Sequence, residues 1–176
     1  MMSVLIISAL PAIGALMIIV GMATPLWSLD TEMTAANVTR HLTFGLWKLC
    51  SDGTCETLPS HYRSESVMAC QAFAVLSFLT SCSAVVITLL NMHLYLKRRV
   101  TSTNLLLTAS VLCSVAALFM AICLLVWGIQ ASSDLAVHQK SYGYSYIVSF
   151  GGLCFMLIAM FFLLTIRPEE GYLPIS

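Results

Sequence analysis

Residues 45–55 read Gly45-Leu46-Trp47-Lys48-Leu49-Cys50-Ser51-Asp52-Gly53-Thr54-Cys55, and they close a polar stretch that begins at Trp27. It is the longest polar segment in a chain otherwise built of apolar blocks, and it holds the paired cysteines that lie in a polar setting. Just upstream, Leu42, Phe44 and Leu46 alternate with His41, Thr43 and Gly45, the period of two that marks a half-buried strand. At Trp47 the apolar phase switches to Trp47 and Leu49. A change of phase beside a glycine predicts a β-bulge at Gly45-Leu46. Asp52-Gly53 is a turn dipeptide whose glycine takes positive φ at little cost. Cys50 and Cys55 are therefore expected to face each other across a tight hairpin.

The surroundings of this stretch set its compartment. Of 176 residues, 59% are hydrophobic and 9% charged, whereas soluble domains carry about 25% charged residues. That places the chain in the membrane class. A formal net charge of zero gives nucleic acid or another polyanion nothing to bind. Four runs free of Asp, Glu, Lys and Arg reach the length of about 20 residues that a spanning helix needs. The expected spans are 3–25, 67–92, 103–127 and 144–166. The first run lacks a basic n-region, and its apolar stretch exceeds the about 7–15 residues of a signal h-region. An uncleaved signal-anchor helix is expected there rather than a cleaved signal peptide. Pro11, Gly14 and Gly21 within it read as a kink or close packing points, which membrane helices tolerate.

Lys97-Arg98-Arg99 lies in the short connection 93–102, and basic residues concentrate on the cytoplasmic side. Alternation then puts both termini and the tail 167–176 inside, with Arg167 in agreement, and the segments 28–66 and 128–143 outside. In an oxidising exterior, Cys50 and Cys55 are expected as a disulfide. The alternatives are two free thiols or a zinc site, for which His41 and His61 qualify as further ligands by residue type alone. Asn37-Val38-Thr39 is a glycosylation acceptor on the same outer segment. Cys70, Cys82, Cys113, Cys123 and Cys154 fall inside the spans and read as small apolar packing residues. None sits at a cytoplasmic helix end, which leaves palmitoylation little support.

Ala109, Cys113, Ala117 and Ala121 form a four-residue ladder of small side chains that lets helices approach closely in lipid. Packing within the bundle is the preferred use, a homo-oligomer face the sharper one. Trp27, Trp127, Tyr142, Tyr144 and Tyr146 read as an outer aromatic belt at headgroup level. Thr101 and Ser102 follow Arg98-Arg99 as a basic-directed phosphorylation site. The simpler reading is a topology signal followed by a helix N-cap at Ser102 or Thr103. Tyr172-Leu173-Pro174-Ile175 matches a tyrosine-based sorting pattern, and a final Ser176 does not suit the apolar pocket of a PDZ domain.

Ionisable residues inside spans mark ion paths and proton relays, and the expected spans carry no Asp, Glu, Lys or Arg. The four histidines, His41, His61, His93 and His138, are scattered, and no GxSxG, HExxH or phosphate-loop motif occurs. An enzyme, a cofactor and a metal centre are not expected.

Trp27, Gly45, Leu46, Trp47, Cys50 and Cys55 in a chain of four spans resemble the claudin / peripheral myelin protein / epithelial membrane protein superfamily over nearly the whole length. Cys70-Gln71-Ala72-Phe73-Ala74-Val75-Leu76-Ser77 and Tyr142-Gly143-Tyr144-Ser145-Tyr146-Ile147 look like its epithelial-membrane-protein branch. The close spacing of Cys50 and Cys55 is similar to the lens fibre membrane protein and claudin-domain-containing branches, and with the lack of an apolar C-terminal dipeptide it counts against tight-junction strand formation. The resemblance implies an all-α membrane fold with a small β part: a left-handed transmembrane four-helix bundle capped by a small extracellular antiparallel sheet.

It also implies a non-enzymatic plasma-membrane protein of cell contact or membrane organisation, acting through its outer sheet at cell junctions. The partners would be the lipid bilayer, other membrane proteins on the same or the facing cell, and a second copy of the chain. An auxiliary subunit of an ion channel or receptor is the alternative. A paracellular barrier or pore is third: Asp30, Glu32, Asp52, Glu56 and Glu65 are balanced by Arg40, Lys48 and Arg63, with no set of one sign to select ions.

Overall fold

The structure, a computed structural model, describes residues 2–33, 39–51, 53–59, 63–98, 102–134 and 141–165. In chain order these form α1 (Met2–Ala23), β1 (Ser28–Met33), β2 (Thr39–Phe44), β3 (Lys48–Ser51), β4 (Thr54–Thr57), α2 (Glu65–Arg98), α3 (Thr103–Asp134), β5 (Ser141–Tyr142) and α4 (Tyr144–Thr165). Glu65–Lys97, Thr103–Ile129 and Tyr144–Thr165 are long and apolar enough to cross a membrane by length and composition. α1 has 22 residues, with no Asp, Glu, Lys or Arg among them.

Hydropathy located the helices but truncated two of them. α2 runs for 34 residues and α3 for 32, or about 50 Å each at 1.5 Å per residue, against a hydrocarbon core of about 30 Å. Residues such as His93, Lys97 and Arg98 at the end of α2 continue the helix beyond the apolar window, because helical hydrogen bonding does not stop where lipid does.

Each helix packs on two neighbours, α1 on α2 and α4, and α3 on α2 and α4, which closes a four-helix bundle. The α2–α3 seam is held in antiparallel register. Cys70 Sγ donates to the Cys123 carbonyl (3.4 Å), Ser77 Oγ to the Ala116 carbonyl (2.8 Å), and Ser102 N to Asn91 Oδ1 (3.2 Å). A step of seven residues along α2, from Cys70 to Ser77, is matched by seven back along α3, from Cys123 to Ala116. The same register carries Asn91 to Ser102. A seven-residue repeat is what keeps one stripe of a helix facing its neighbour. The stripe is small: Ala74, Ser77, Ser81 and Ala84 on α2, and Ala109, Cys113, Ala116 and Ala117 on α3, are all buried. Hydrophobic driving force between helices is weak in lipid, so close approach and internal hydrogen bonds hold such a seam. Ala109, Cys113 and Ala117 therefore serve packing within the chain; Ala121 is half-buried.

Pro11 lies inside α1 without ending it and is fully buried. Gly21 lets α1 meet α4 closely: a Cβ there would run into Ser149 Oγ and the Ser145 backbone.

The strands form one antiparallel sheet in the order β4-β3-β2-β1-β5. It sits on the end of the bundle where α1 ends, α2 begins, α3 ends and α4 begins. The expected bulge at Gly45-Leu46 is corrected here. β2 and β3 are separate antiparallel strands, with Phe44 opposite Leu49 and Thr43 opposite Cys50. Residues 45–48 are the turn between them, closed by Gly45 N donating to the Lys48 carbonyl at 2.9 Å. A reversal and a bulge both shift the apolar phase beside a glycine, so alternation alone did not separate them.

Candidate functional site

The geometry of the sheet end is a matter of backbone pairing, and it begins at the end of α1. The last carbonyls of a helix have no partner within it, a costly state at a membrane boundary. Trp27 Nε1 donates to the Gly21 carbonyl at 2.8 Å, and Thr24 donates to the Val20 carbonyl through both N (3.1 Å) and Oγ1 (2.7 Å). Trp27 is thus a helix cap as well as a core residue. Its ring lies edge-on to Trp127, centroids 5.4 Å apart, and to Tyr146 at 6.1 Å. The Tyr146 hydroxyl donates to the Leu124 carbonyl at 3.3 Å.

This corrects the reading of the aromatics as a uniform belt. Trp27 is fully buried and Trp127 nearly so, whereas Tyr142 and Tyr144 are exposed. The sheet lies over the two tryptophans and turns them into an internal cluster that joins α1, α3 and α4.

The sheet is then tied to three helices. Trp27 N donates to the Phe44 carbonyl (2.9 Å), which starts the β1–β2 ladder. Gly143 N donates to the Trp27 carbonyl (2.9 Å) and Ser145 N to the Leu26 carbonyl (3.0 Å). Ser145 Oγ meets Thr24 Oγ1 at 2.7 Å and accepts from Leu26 N at 3.2 Å. Gln71, in the first turns of α2, donates from Nε2 to the Leu46 carbonyl at 2.6 Å. Leu46 itself is fully buried. Gly-Leu-Trp therefore divides its labour. Gly45 packs against the Pro25 backbone, Leu46 plugs into the core, and Trp47, 39% exposed, is left projecting from the turn.

Cross-strand partners share a face, so Phe44 and Leu49, which pack on the core, put Ser28 on the bundle side as well. Asp30 follows two residues on, and its carboxylate is buried at 5% exposure, with Oδ1 lacking a hydrogen-bond partner among the described residues. Asp30 is therefore not available to line an extracellular path, contrary to its inclusion among pore-lining charges. The opposite face carries Leu29, 38% exposed, and His41, also exposed.

Cys50 and Cys55 are bonded and sit directly opposite each other in the β3–β4 ladder. Gly53 in the connecting turn has φ +86°, the left-handed region that glycine enters freely. The other five cysteines are free; Cys70, Cys113 and Cys123 are buried and Cys82 and Cys154 half-buried. Among the described residues, no three His, Cys, Asp or Glu side chains gather as a metal site. Replacing Cys50 and Cys55 together by serine should lower stability by about 2 kcal/mol, the chain-entropy value for so small a loop. Chemical denaturation of the purified protein in mild detergent measures this, and an unchanged midpoint would show that the turn alone fixes the hairpin.

Asn37, His61, Thr101, Tyr172 and Ile175 lie outside the described residues. Ser102 is the residue before α3 and accepts from Leu106 N at 3.1 Å, an N-cap position. Sequence reasoning missed β1 and β5, and it missed Gln71, Ser145 and Gly143 as the pins of the sheet. A single glutamine in an otherwise apolar helix start was the signal available for Gln71.

A family model described as the PMP-22/EMP/MP20/Claudin family matches residues 1–163. A comparison with curated proteins returns no match.

Proposed function

From the premise that this chain belongs to the PMP-22/EMP/MP20/Claudin family of multi-pass membrane proteins, we propose that it is a non-enzymatic contact protein of the plasma membrane that presents its five-stranded sheet to a partner. The observation that carries this is Trp47. A tryptophan 39% exposed at the tip of a turn, beside a fully buried Leu46 and a Gln71-anchored carbonyl, is an aromatic anchor on a rigid mount. Such residues dominate protein interfaces because they bring large area at little loss of conformational freedom. The basic run Lys97-Arg98-Arg99 supports placing the α2–α3 connection and both termini in the cytoplasm, which puts the sheet outside. On that side Asn37 is open to glycosylation.

Cells expressing the protein should cluster, and Trp47→Ala should reduce clustering at least tenfold while surface abundance stays within twofold of wild type. The test is a cell-aggregation assay beside surface biotinylation. Trp47 contributes little to the core, so loss of contact without loss of protein is the expected signature. Equal clustering by Trp47→Ala would remove the contact from this turn. No clustering by the wild type, together with co-purification of a channel whose gating it alters, would assign the auxiliary-subunit role instead.

A further inference from the structure

Cys70 and Cys123 are both completely buried and both free. Cys70 is five residues into α2, about 7.5 Å below its start. Cys123 stands one helical turn before Trp127, the α3 residue that packs edge-on to Trp27 beneath the sheet. Cys70 Sγ lies against the backbone of that turn, donating to the Cys123 carbonyl at 3.4 Å. That contact places the Cys70 sulfur directly against Cys123 of the neighbouring helix. The placement belongs to the seam itself, since the register that pairs Ser77 with Ala116 and Asn91 with Ser102 also sets Cys70 opposite Cys123.

We propose that Cys70 and Cys123 are an oxidisable dithiol, a second cross-link site that clamps α2 to α3 directly under the sheet. This goes beyond the contact role and does not depend on it. The oxidant class is a low-molecular-weight disulfide such as glutathione disulfide. One cysteine thiolate attacks it, forms a mixed disulfide and expels one thiol. The second cysteine then attacks the mixed disulfide, expels the second thiol and closes the Cys70–Cys123 bond. Two protein thiols are oxidised and one small disulfide is reduced to two thiols. With Cys70 Sγ 3.4 Å from the Cys123 carbonyl, rotation about the Cα–Cβ bonds brings the two sulfurs to bonding distance. Thiols buried in a closed seam meet a soluble oxidant poorly, so the bond forms while the ends of α2 and α3 are still open during folding, and the closed bundle then shields it.

The consequence is mechanical. α2 follows the four strands β1–β4, and α3 precedes β5. A bond at Cys70–Cys123 fixes the two helix ends from which both halves of the sheet depart.

The test counts free thiols by mass-tagged maleimide after denaturation of the full chain. One sample is translated into microsomes with glutathione disulfide present, a second with reductant present throughout. The reduced sample should retain the Cys50–Cys55 bond or lose it with strong reductant, and the Cys50→Ser/Cys55→Ser variant removes that ambiguity by leaving five cysteines. In that variant the count should be five under reductant and three under glutathione disulfide, and non-reducing digestion should yield a Cys70–Cys123 linked peptide. Adding Cys70→Ser should give four under both conditions. A count that stays at five under the oxidant overturns the proposal, as does loss of two thiols traced to any pair other than Cys70 and Cys123. If the variant fails to accumulate, the same linked-peptide search on the wild-type chain decides between the two outcomes.

Discussion

Trp27→Ala should destabilise the protein by about 3–5 kcal/mol, the range for removing a buried large aromatic side chain. Three losses coincide at this position. Trp27 is fully buried, so its removal leaves a cavity where α1, α3 and α4 meet the sheet. The edge-on contacts to Trp127 and Tyr146 go with it. The Gly21 carbonyl also loses the indole N–H, 2.8 Å away, that caps α1. Trp27→Phe separates these contributions. It keeps a ring in the cluster but removes the donor, and it should cost about 1–3 kcal/mol, mostly for an acceptor left unsatisfied at the end of a helix. Unfolding in mild detergent, followed by tryptophan fluorescence or circular dichroism, measures both. Trp47→Ala is the internal comparison: it removes the same residue type from an exposed turn and should shift the midpoint little. If the two alanine variants unfold alike, the buried cluster does not hold the sheet on the bundle.

The helices were legible because their signal is one-dimensional. Twenty apolar residues in a row leave a chain few choices in lipid, where every backbone group must bond within its own segment. The β3–β4 hairpin was legible for a related reason. Asp52-Gly53 between cysteines specifies a local reversal, and the structure closes it with Gly53 at positive φ and the Cys50–Cys55 bond. β1 and β5 left no such mark. Ser28–Met33 pairs with Thr39–Phe44 on one side and with Ser141–Tyr142, more than a hundred residues away, on the other. A strand of two residues has no period to detect. Its existence depends on Trp27 and Gly143 meeting in space, and that contact is set by the α1–α4 packing. The aromatic residues show the same limit. Sequence placed Trp27 and Trp127 at the membrane boundary but could not tell a ring that faces headgroups from one covered by a sheet. Residue type gives depth along a helix, whereas the direction a ring faces depends on which elements pack beside it.

Gly143→Ala should be as damaging as Trp27→Ala, although it adds one methyl group. Gly143 is buried where the chain passes from β5 into α4, and a Cβ there would collide with the Leu26 carbonyl and sit 3.3 Å from Trp27 N. These are backbone atoms, so no side-chain rotation relieves the clash. Nor can the two segments move apart cheaply. Gly143 N holds the Trp27 carbonyl at 2.9 Å, Ser145 N holds the Leu26 carbonyl at 3.0 Å, and Ser28 and Leu29 pair with Tyr142 and Ser141. Separating them by the ångström or so that a methyl needs would break several bonds at once, and each buried group left unpaired costs about 1–3 kcal/mol. A loss of at least about 3 kcal/mol is therefore expected, together with retention of most of the chain inside the cell. Gly128→Ala provides the contrast, since its Cβ would lie 3.4 Å from the Tyr146 hydroxyl, an ordinary contact at the flexible end of a side chain. It should change stability by less than about 1 kcal/mol, and alanine's better helix propensity favours it. Detergent melting curves and the surface-exposed fraction of each variant decide the matter. A Gly143→Ala protein that reaches the surface and melts like the wild type would mean that β5 and the start of α4 can shift away from Leu26 and Trp27. The two halves of the sheet would then be joined loosely, and Trp47 would project from a hinged mount rather than a fixed one.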